Sequence, residues 1–442
     1  MLRGLSPAGL ADWRRLAATG AFTRLTEQGL LVGTRDFEGE APPSPRGTPW
    51  AGVIEHDRIP VVSYPYEWPF AMLRSAAALT LDVLIESLND GLTLKDGTAY
   101  NVQFVGTDPV FIDIGSFTPA SGPWPGYRQF CETLLFPLML QAHLGFSYHP
   151  LLRGRVNGIE ASEMRALFRG RRVFRRGVMS NIVVQSALQQ RLTKGSEQAK
   201  QDLARAGAGL ELAKASARKL RKLVGKLEVS KERSTWSDYR TTCTYTDADA
   251  AAKRAFVEGG LKARSATRVV LDLGANDGEY SVLAAPHADT VVASDFDELT
   301  IDRLARGLAG SGPKNVLPLV VDLVDPSPAI GWDNRERSSW QARMQPDVVL
   351  ALALVHHLAI GANVPLPMVI DWLAGFDATL IVEFVAPDDP QSKRLLANKP
   401  AGLFGDYRRD AFEQLLAGRF SITRSEELAS GTRVLYEAEP IR

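Results

Sequence analysis

Apolar positions along the chain follow two different rhythms. Met72, Leu73, Ala76, Ala77, Leu79, Thr80, Val83, Leu84 and Leu88 recur at helical intervals, and Asn89-Asp90-Gly91 supplies a stop, so one long helix is predicted here. In the second half the apolar residues come as short runs at 269–273, 291–294, 315–321, 346–354 and 379–385, each ending at small or acidic residues. Such uninterrupted β-branched runs mark strands buried on both faces. Helical stretches at 280–285, 299–308, 358–363, 367–373 and 392–396 lie between or after them, and repeated strand–helix alternation requires a mostly parallel sheet covered on both sides. Runs at 420–423 and 432–437 are expected to close the sheet as an antiparallel pair.

The first half reads as a different kind of domain. Leu10, Trp13, Leu16 and Ala17 have helical spacing, 40–49 is a Pro/Gly/Ser loop, and 53–62 suggests two short strands about a turn. After the long helix, residues 92–104 and 109–116 give strands and turns, and 123–152 is apolar and helical with Pro137 and Gly145 as breaks. Residues 185–231 lack proline and carry a weak stripe of Leu203, Leu210, Leu212, Leu220 and Leu223, the pattern of a polar connector helix or an oligomer contact. The expected organisation is an α+β domain over 1–184, a helical connector over 185–235 and an α/β domain over 236–442, in keeping with a length of 442 residues.

Composition changes this picture little. Lys plus Arg and Asp plus Glu both number 51, so no global field draws the chain to nucleic acid. Cys131 and Cys243 form no metal or disulfide framework, and the N-terminal segment lacks an uninterrupted apolar core, so a cytoplasmic protein without a signal peptide or membrane span is expected. Basic residues do concentrate at 165–176 and through the connector, where they would suit a solvated face or an anionic carrier.

The candidate chemistry lies where the first α/β strand ends, at Asp272-Leu273-Gly274-Ala275-Asn276-Asp277-Gly278. Gly274 and Gly278 permit backbone angles closed to other residues and a close approach of ligand to main chain. The spacing is not that of a dinucleotide fingerprint, and Asp272 before the turn suits a cationic amino-acid ligand better than a phosphate. This motif resembles the first motif of class I S-adenosylmethionine-dependent methyltransferases, and the strands that follow it fall in the order that family requires. The resemblance implies a Rossmann-like, seven-stranded, mostly parallel sheet with S-adenosylmethionine as cofactor. Its contacts would come from Asp272, Gly274, Asn276, Gly278, Asp295 for the ribose, Phe296 for apolar packing, Asp322 and Leu323 beside the adenine, and Ala351. The stretch 236–257 resembles the lead-in that covers the cofactor in such enzymes.

Val355-His356-His357-Leu358 after the fourth strand offers two candidate bases, since histidine titrates near neutrality, and Glu383 with Asp388 and Asp389 offers carboxylates to orient a histidine or hold sugar hydroxyls. No metal-ligand spacing is present. The stretch 350–366, the Glu383-Phe384-Val385-Ala386-Pro387-Asp388-Asp389-Pro390 run and Tyr407 look similar to sugar O-methyltransferases of the nodulation-factor type, which implies a hydroxyl acceptor on a sugar or glycosylated carrier. A small-molecule or protein acceptor is the alternative. The same acidic run is expected to repel a nucleic-acid backbone.

In the first half, the succession of helix, Asp96, Asn101, strand, turn, strand and Asp113 resembles the catalytic and metal-binding loops of protein-kinase-like phosphotransferases, which would make Asp96 a base and Asn101 and Asp113 magnesium ligands. No lysine precedes Lys95 and there is no glycine-rich loop, so the expectation is a degenerate kinase-like domain, and a non-catalytic binding protein is the rival reading for the chain.

Overall fold

The structure, a computed structural model, describes residues 1–44, 47–184, 209–229 and 245–441. The chain forms two compact units, Met1–Glu232 and Arg233–Arg442.

In the N-terminal unit, helix α1 (Pro7–Ala17) starts where the Ser6 hydroxyl accepts the Gly9 amide, and α2 (Gly20–Glu27) where Thr19 does the same for Phe22. Strands β1 (Leu2–Leu5) and β2 (Thr34–Asp36) flank β3 (Gly52–His56), antiparallel to it on either side. The second strand expected within 57–62 does not form. Pro60 has no amide to give to a ladder, and the edges of β3 are taken by β1 and β2, whose short polar sequences carry little strand signal.

The long helix is present as α3 (Phe70–Asn89), with buried side chains on most of its circumference, as befits a helix at the centre of a unit. Asp90 and Gly91, the latter at φ 75°, end it. Then come β4 (Leu92–Leu94), the hairpin of β5 (Val102–Val105) and β6 (Asp108–Phe111), and β7 (Phe117–Pro119), which pairs back on β4. Pro137 is not the break its residue type suggests. A wide π turn over Cys131–Leu135 precedes it, and its missing amide falls in the first turn of Phe136–Leu144; Gly145, at φ 72°, is the true end.

The connector expected over 185–235 is described only at 209–229, and there it belongs to this unit. The helix Leu210–Val224 lies along α3, buries Ala217, Leu220 and Val224, and donates from Arg221 Nε to both oxygens of Asp82 at 2.9 and 3.0 Å. Of the described part of its apolar stripe, Leu220 is buried within this unit, while Leu210 and Leu212 remain exposed. The segment 185–208 lies outside the described residues, as do 236–244 of the expected lead-in.

In the C-terminal unit the sheet runs in the order β10, β9, β8, β11, β12, β14, β13, formed by Val269–Leu273 (β8), Thr290–Asp295 (β9), Val316–Val320 (β10), Val348–Ala351 (β11), Thr379–Val385 (β12), Phe420–Glu427 (β13) and Arg433–Pro440 (β14). The first five are parallel and β14 runs antiparallel between β12 and β13. This is the mostly parallel seven-stranded sheet that the sequence resemblance implies. Every residue of β8, β9, β11 and β12 is buried; most are apolar, and the buried acids among them, Asp272, Asp295 and Glu383, each have hydrogen-bond or ion-pair partners. Strand order reverses between β8 and β11, so the carboxyl ends of these two strands open the crevice in which doubly wound sheets bind ligands.

Candidate functional site

The crevice begins at the turn after β8. Gly274 sits at φ 72°, Asn276 at 49° and Gly278 at 82°, a run of left-handed conformations that folds the chain sharply before the helix Glu279–Ala284. The φ at 278 favours glycine, and a Cβ there would lie 2.5 Å from Leu304 Cδ1, so the leucine side chain would have to shift for any larger residue. The amides of Gly274 and Ala275 both donate to the Ser294 carbonyl at 2.8 and 2.9 Å, and the Asn276 amide donates to Asp295 Oδ2 at 3.0 Å. The turn is therefore stapled to the end of β9. Asp295 also accepts the Asp297 amide at 2.9 Å, which fixes the carboxylate at the rim with lone pairs left to accept further donors.

Asp272 is buried and accepts the Ser281 hydroxyl at 2.6 Å. Burial pushes its pKa up to about 6 against the opposing hydrogen bond from Ser281 and the field of Lys253. Asp295 is raised in the same direction, again chiefly by burial. Two carboxylates held above their ordinary range on one rim favour a cationic ligand, which would restore the ionised form. Phe296, next in the chain, leaves 55% of its surface exposed, unusual for an aromatic ring beside a crevice and suited to forming an apolar wall. Asp322 and Leu323 follow β10; Asp322 is exposed and its Oδ1 accepts the Val324 amide at 3.0 Å. Ala351 ends β11, with Leu350 in register with Asp272, and two residues later Ala353 takes φ 50°, a strained conformation for a residue with a Cβ. The cofactor positions expected from sequence thus share the carboxyl-end rim of β8, β9, β10 and β11.

The histidines stand differently from expectation. His356 has no exposed surface, neither ring nitrogen has a hydrogen-bond partner among the described residues, and its ring lies 4.2 Å from that of His357. Burial lowers both pKa values, aided by the Arg433 charge: His356 falls well below its ordinary value and His357 to about 4. Both rings are neutral at physiological pH, able to accept a proton but with less driving force than a histidine poised near 7.

Glu383 does not serve as a free carboxylate at the rim. It is wholly buried in β12; Tyr245 donates its hydroxyl to Oε1 at 2.6 Å, Lys253 Nζ lies 2.8 Å from Oε2, and Arg433 Nη1 approaches Oε1 at 3.3 Å. Burial works to raise its pKa, but Lys253, Arg433 and the Tyr245 hydroxyl outweigh it and hold the carboxyl below its ordinary value. Asp389 is likewise committed, accepting Arg433 Nε at 2.9 Å and the Thr432 hydroxyl at 2.9 Å while capping the helix Pro390–Leu396. Two buried acids are thus matched by two buried cations, so the expectation that Glu383, Asp388 and Asp389 together repel a phosphate backbone falls to Asp388, the exposed member. Tyr407 is structural, donating to the Val385 carbonyl at 3.0 Å and stacking on Phe384.

Lys253, Tyr245 and Arg433 were not singled out from sequence. The signal was present for one of them: Asp249, Lys253, Phe256, Val257 and Gly260 form the buried stripe of the helix Asp247–Lys262, and a lysine in such a stripe requires a buried counter-ion. Nothing in the spacing pointed to Arg433, which reaches Glu383 only because β14 inserts beside β12, where Glu383 faces Leu435. Lys253 also lies 4.8 Å from the Tyr280 ring centroid. Among the described residues no three His, Cys, Asp or Glu side chains are placed to hold a metal ion, and no helix is long and apolar enough to cross a membrane.

No family model matches the chain. Among solved structures it is similar to the N-methyltransferase NodS from Bradyrhizobium japonicum WM9, with 12% identity and a TM-score of 0.33 over 44% of this chain and 98% of that one. It is also similar to the magnesium protoporphyrin IX methyltransferase of Synechocystis PCC 6803, with 16% identity and a TM-score of 0.31 over 46% and 92% of the two chains. The nodulation protein NoeA of Rhizobium meliloti (strain 1021) is 34% identical over 447 aligned residues, spanning 99% of this chain and 92% of NoeA. Identity of that extent runs through both structural units, and the chain belongs to the NoeA family of nodulation proteins.

Proposed function

We propose that this protein is an S-adenosylmethionine-dependent methyltransferase acting on a hydroxyl of a sugar or glycosylated carrier. The observation that carries the reading is the convergence of Asp272, the 274–278 turn, Asp295, Phe296 and Asp322 on one rim of a sheet whose strand order places its ligand crevice there. S-adenosylmethionine is the cofactor, and when bound it supplies a methyl group already activated on a sulfonium. The residues fit it. Asp272, a buried acid with a raised pKa, would complement the ammonium of an amino acid; Asp295 would accept from the ribose hydroxyls, and Asp322 from the adenine amine, with Phe296 and Leu323 as apolar flanks. Gly274, Asn276 and Gly278 would present main chain to the cofactor, and Ala351, at the end of β11, would border it.

What remains for the protein is to position the acceptor and take up its proton, the first of which contributes on the order of 7 to 11 kcal/mol. His357, partly exposed beside the buried His356, is the group suited to receive that proton. Glu383 acts at one remove, anchoring Lys253 and Arg433. The resemblance to nodulation-factor-type sugar O-methyltransferases and a relative that is itself a nodulation protein support the choice of acceptor. Calorimetry with S-adenosylmethionine tests the first claim: Asp295→Ala should weaken binding by about 1.5 to 3 kcal/mol, the value of a hydrogen bond to a charged group. A folded protein that ignores the cofactor, or a methyl mark found only on RNA or protein side chains in cells carrying the gene, would reject the proposal.

A second reading concerns the N-terminal unit as a degenerate kinase-like binding domain. One contact favours it: Arg3 Nη1 donates to Asp113 Oδ1 at 2.7 Å, placing a guanidinium where a magnesium ligand would need to be free. Magnesium-dependent ATP binding lost in Asp113→Ala would overturn that reading.

A further inference from the structure

The N-terminal unit contains a cleft of about 420 Å³ bounded by residues 176–181, Tyr127 and the last turns of the helix Leu210–Val224 with the residues that follow it. Four cations line it, Arg176, Lys219, Lys222 and Lys226, and no acid does. Its volume is that of a small-molecule site.

Helix geometry explains how the lysines come together. Lys219 and Lys222 are three residues apart on the helix and share one face, Lys226 follows just past the helix end, and Leu220 and Leu223 line the cleft beside them. Gly177 enters the wall at φ 78°, where a Cβ would lie 2.6 Å from Leu223 Cδ2, so the chain carrying Arg176 runs directly against the helix. The opposite wall is fixed by hydrogen bonds. Tyr127 donates to Asn181 Oδ1 at 2.9 Å and Asn181 Nδ2 donates to the Gly177 carbonyl at 2.9 Å.

The charge is uncompensated in a selective way. On the same helix Lys214 pairs with Glu211 and Arg221 with Asp82, so surface cations with acids available do form pairs. Among the described residues, none of the four cations lining the cleft has an ion-pair partner. A ring of unpaired like charges around a concavity repels itself, and an anion seated within it removes that repulsion while gaining charge-assisted hydrogen bonds.

We infer that this cleft is a binding site for a small soluble molecule bearing phosphoryl groups, with Arg176, Lys219, Lys222 and Lys226 as its anion ligands and Tyr127 and Leu223 as contacts for the remainder of the molecule. All of its lining residues belong to the N-terminal unit, and the inference does not depend on what the C-terminal crevice binds.

The test is calorimetry of the full chain with inorganic pyrophosphate. Lys222 and Lys226 are exposed, so the Lys222→Gln/Lys226→Gln variant keeps the fold. Pyrophosphate should bind the wild type, and the double variant should bind at least about tenfold more weakly through loss of two charge-assisted contacts. The Arg169→Gln/Arg172→Gln variant, equal in charge change but outside the cleft, should bind as the wild type does. No binding to the wild type, or equal weakening in both variants, overturns the inference, the latter because it would mark a diffuse basic surface. Vesicles of phosphatidylglycerol provide the second arm. Binding to vesicles that pyrophosphate fails to displace, with no calorimetric signal from pyrophosphate alone, would assign the charge to a membrane surface and likewise overturn it.

Discussion

Lys253→Met gives the sharpest test of how the C-terminal unit is built around its buried charges. In the native protein Lys253 is 4% exposed, with Nζ 2.8 Å from Glu383 Oε2 and 2.8 Å from the Tyr245 hydroxyl oxygen, and Glu383 has no exposed surface at all. Removing one partner of a buried ion pair leaves an uncompensated charge and costs about 3 to 5 kcal/mol. Arg433 remains at 3.3 Å, so the loss should fall at the lower end, about 3 kcal/mol, equivalent for a unit of this size to a melting shift of roughly 6 to 12 °C. The assay is thermal unfolding of the full chain, following the transition that saturating cofactor raises. Glu383 sits below its ordinary pKa in the folded protein, so its contribution is present above the unfolded value and is lost as pH falls through the folded one. Without Lys253, burial dominates and the carboxyl moves above its ordinary value, so the variant's deficit is full at neutral pH and shrinks on acidification. Lys253→Met/Glu383→Gln should recover most of the loss. A single variant within about 1 °C of wild type, or a double variant no better than the single, would refute the argument.

Four further outcomes follow from the same geometry. With Asp272 held at about 6, cofactor affinity measured by calorimetry should fall as pH drops through that value and the carboxyl takes up a proton, and Asp272→Asn should flatten the dependence. Since its folded pKa is raised, the same group withdraws stability from the cofactor-free protein as pH rises from the ordinary carboxyl range through about 6. If His357 accepts the acceptor's proton, kcat/KM should rise through about 4 and be level across neutrality, with His357→Asn lowering the plateau; a rise near the ordinary histidine value of about 6.5 would assign the limb to another group. Gly278→Ala, forced to hold φ 82° against Leu304, should lose about 1 to 3 kcal/mol in denaturant unfolding, and a neutral result would mean that the turn can relax.

The parts of this protein whose signals are local were legible along the chain. Five buried strands could be read because a strand covered on both faces must be continuously apolar, and the 274–278 turn because left-handed backbone selects glycine and asparagine. The strand-end acids Asp272, Asp295 and Asp322 were legible as positions because each closes or follows an apolar run, and the sheet sets all three along its carboxyl-end rim. What depends on a partner distant in sequence became visible only in the fold. Glu383 reads as an available carboxylate until Lys253, 130 residues earlier, and Arg433, 50 residues later, are seen to neutralise it, and Asp389 likewise reads as a sugar ligand until Arg433 takes it. His356 and His357 carry the residue type of a neutral-pH base, but burial, which no local pattern reveals, moves them away from that range. The same holds in the N-terminal unit. The helix Leu210–Val224 has the composition of a free connector, and only its seat on α3 with Arg221 on Asp82 makes it part of a core. Periodicity reports which face of an element is apolar; which charge lies opposite it is settled only when the chain folds back on itself.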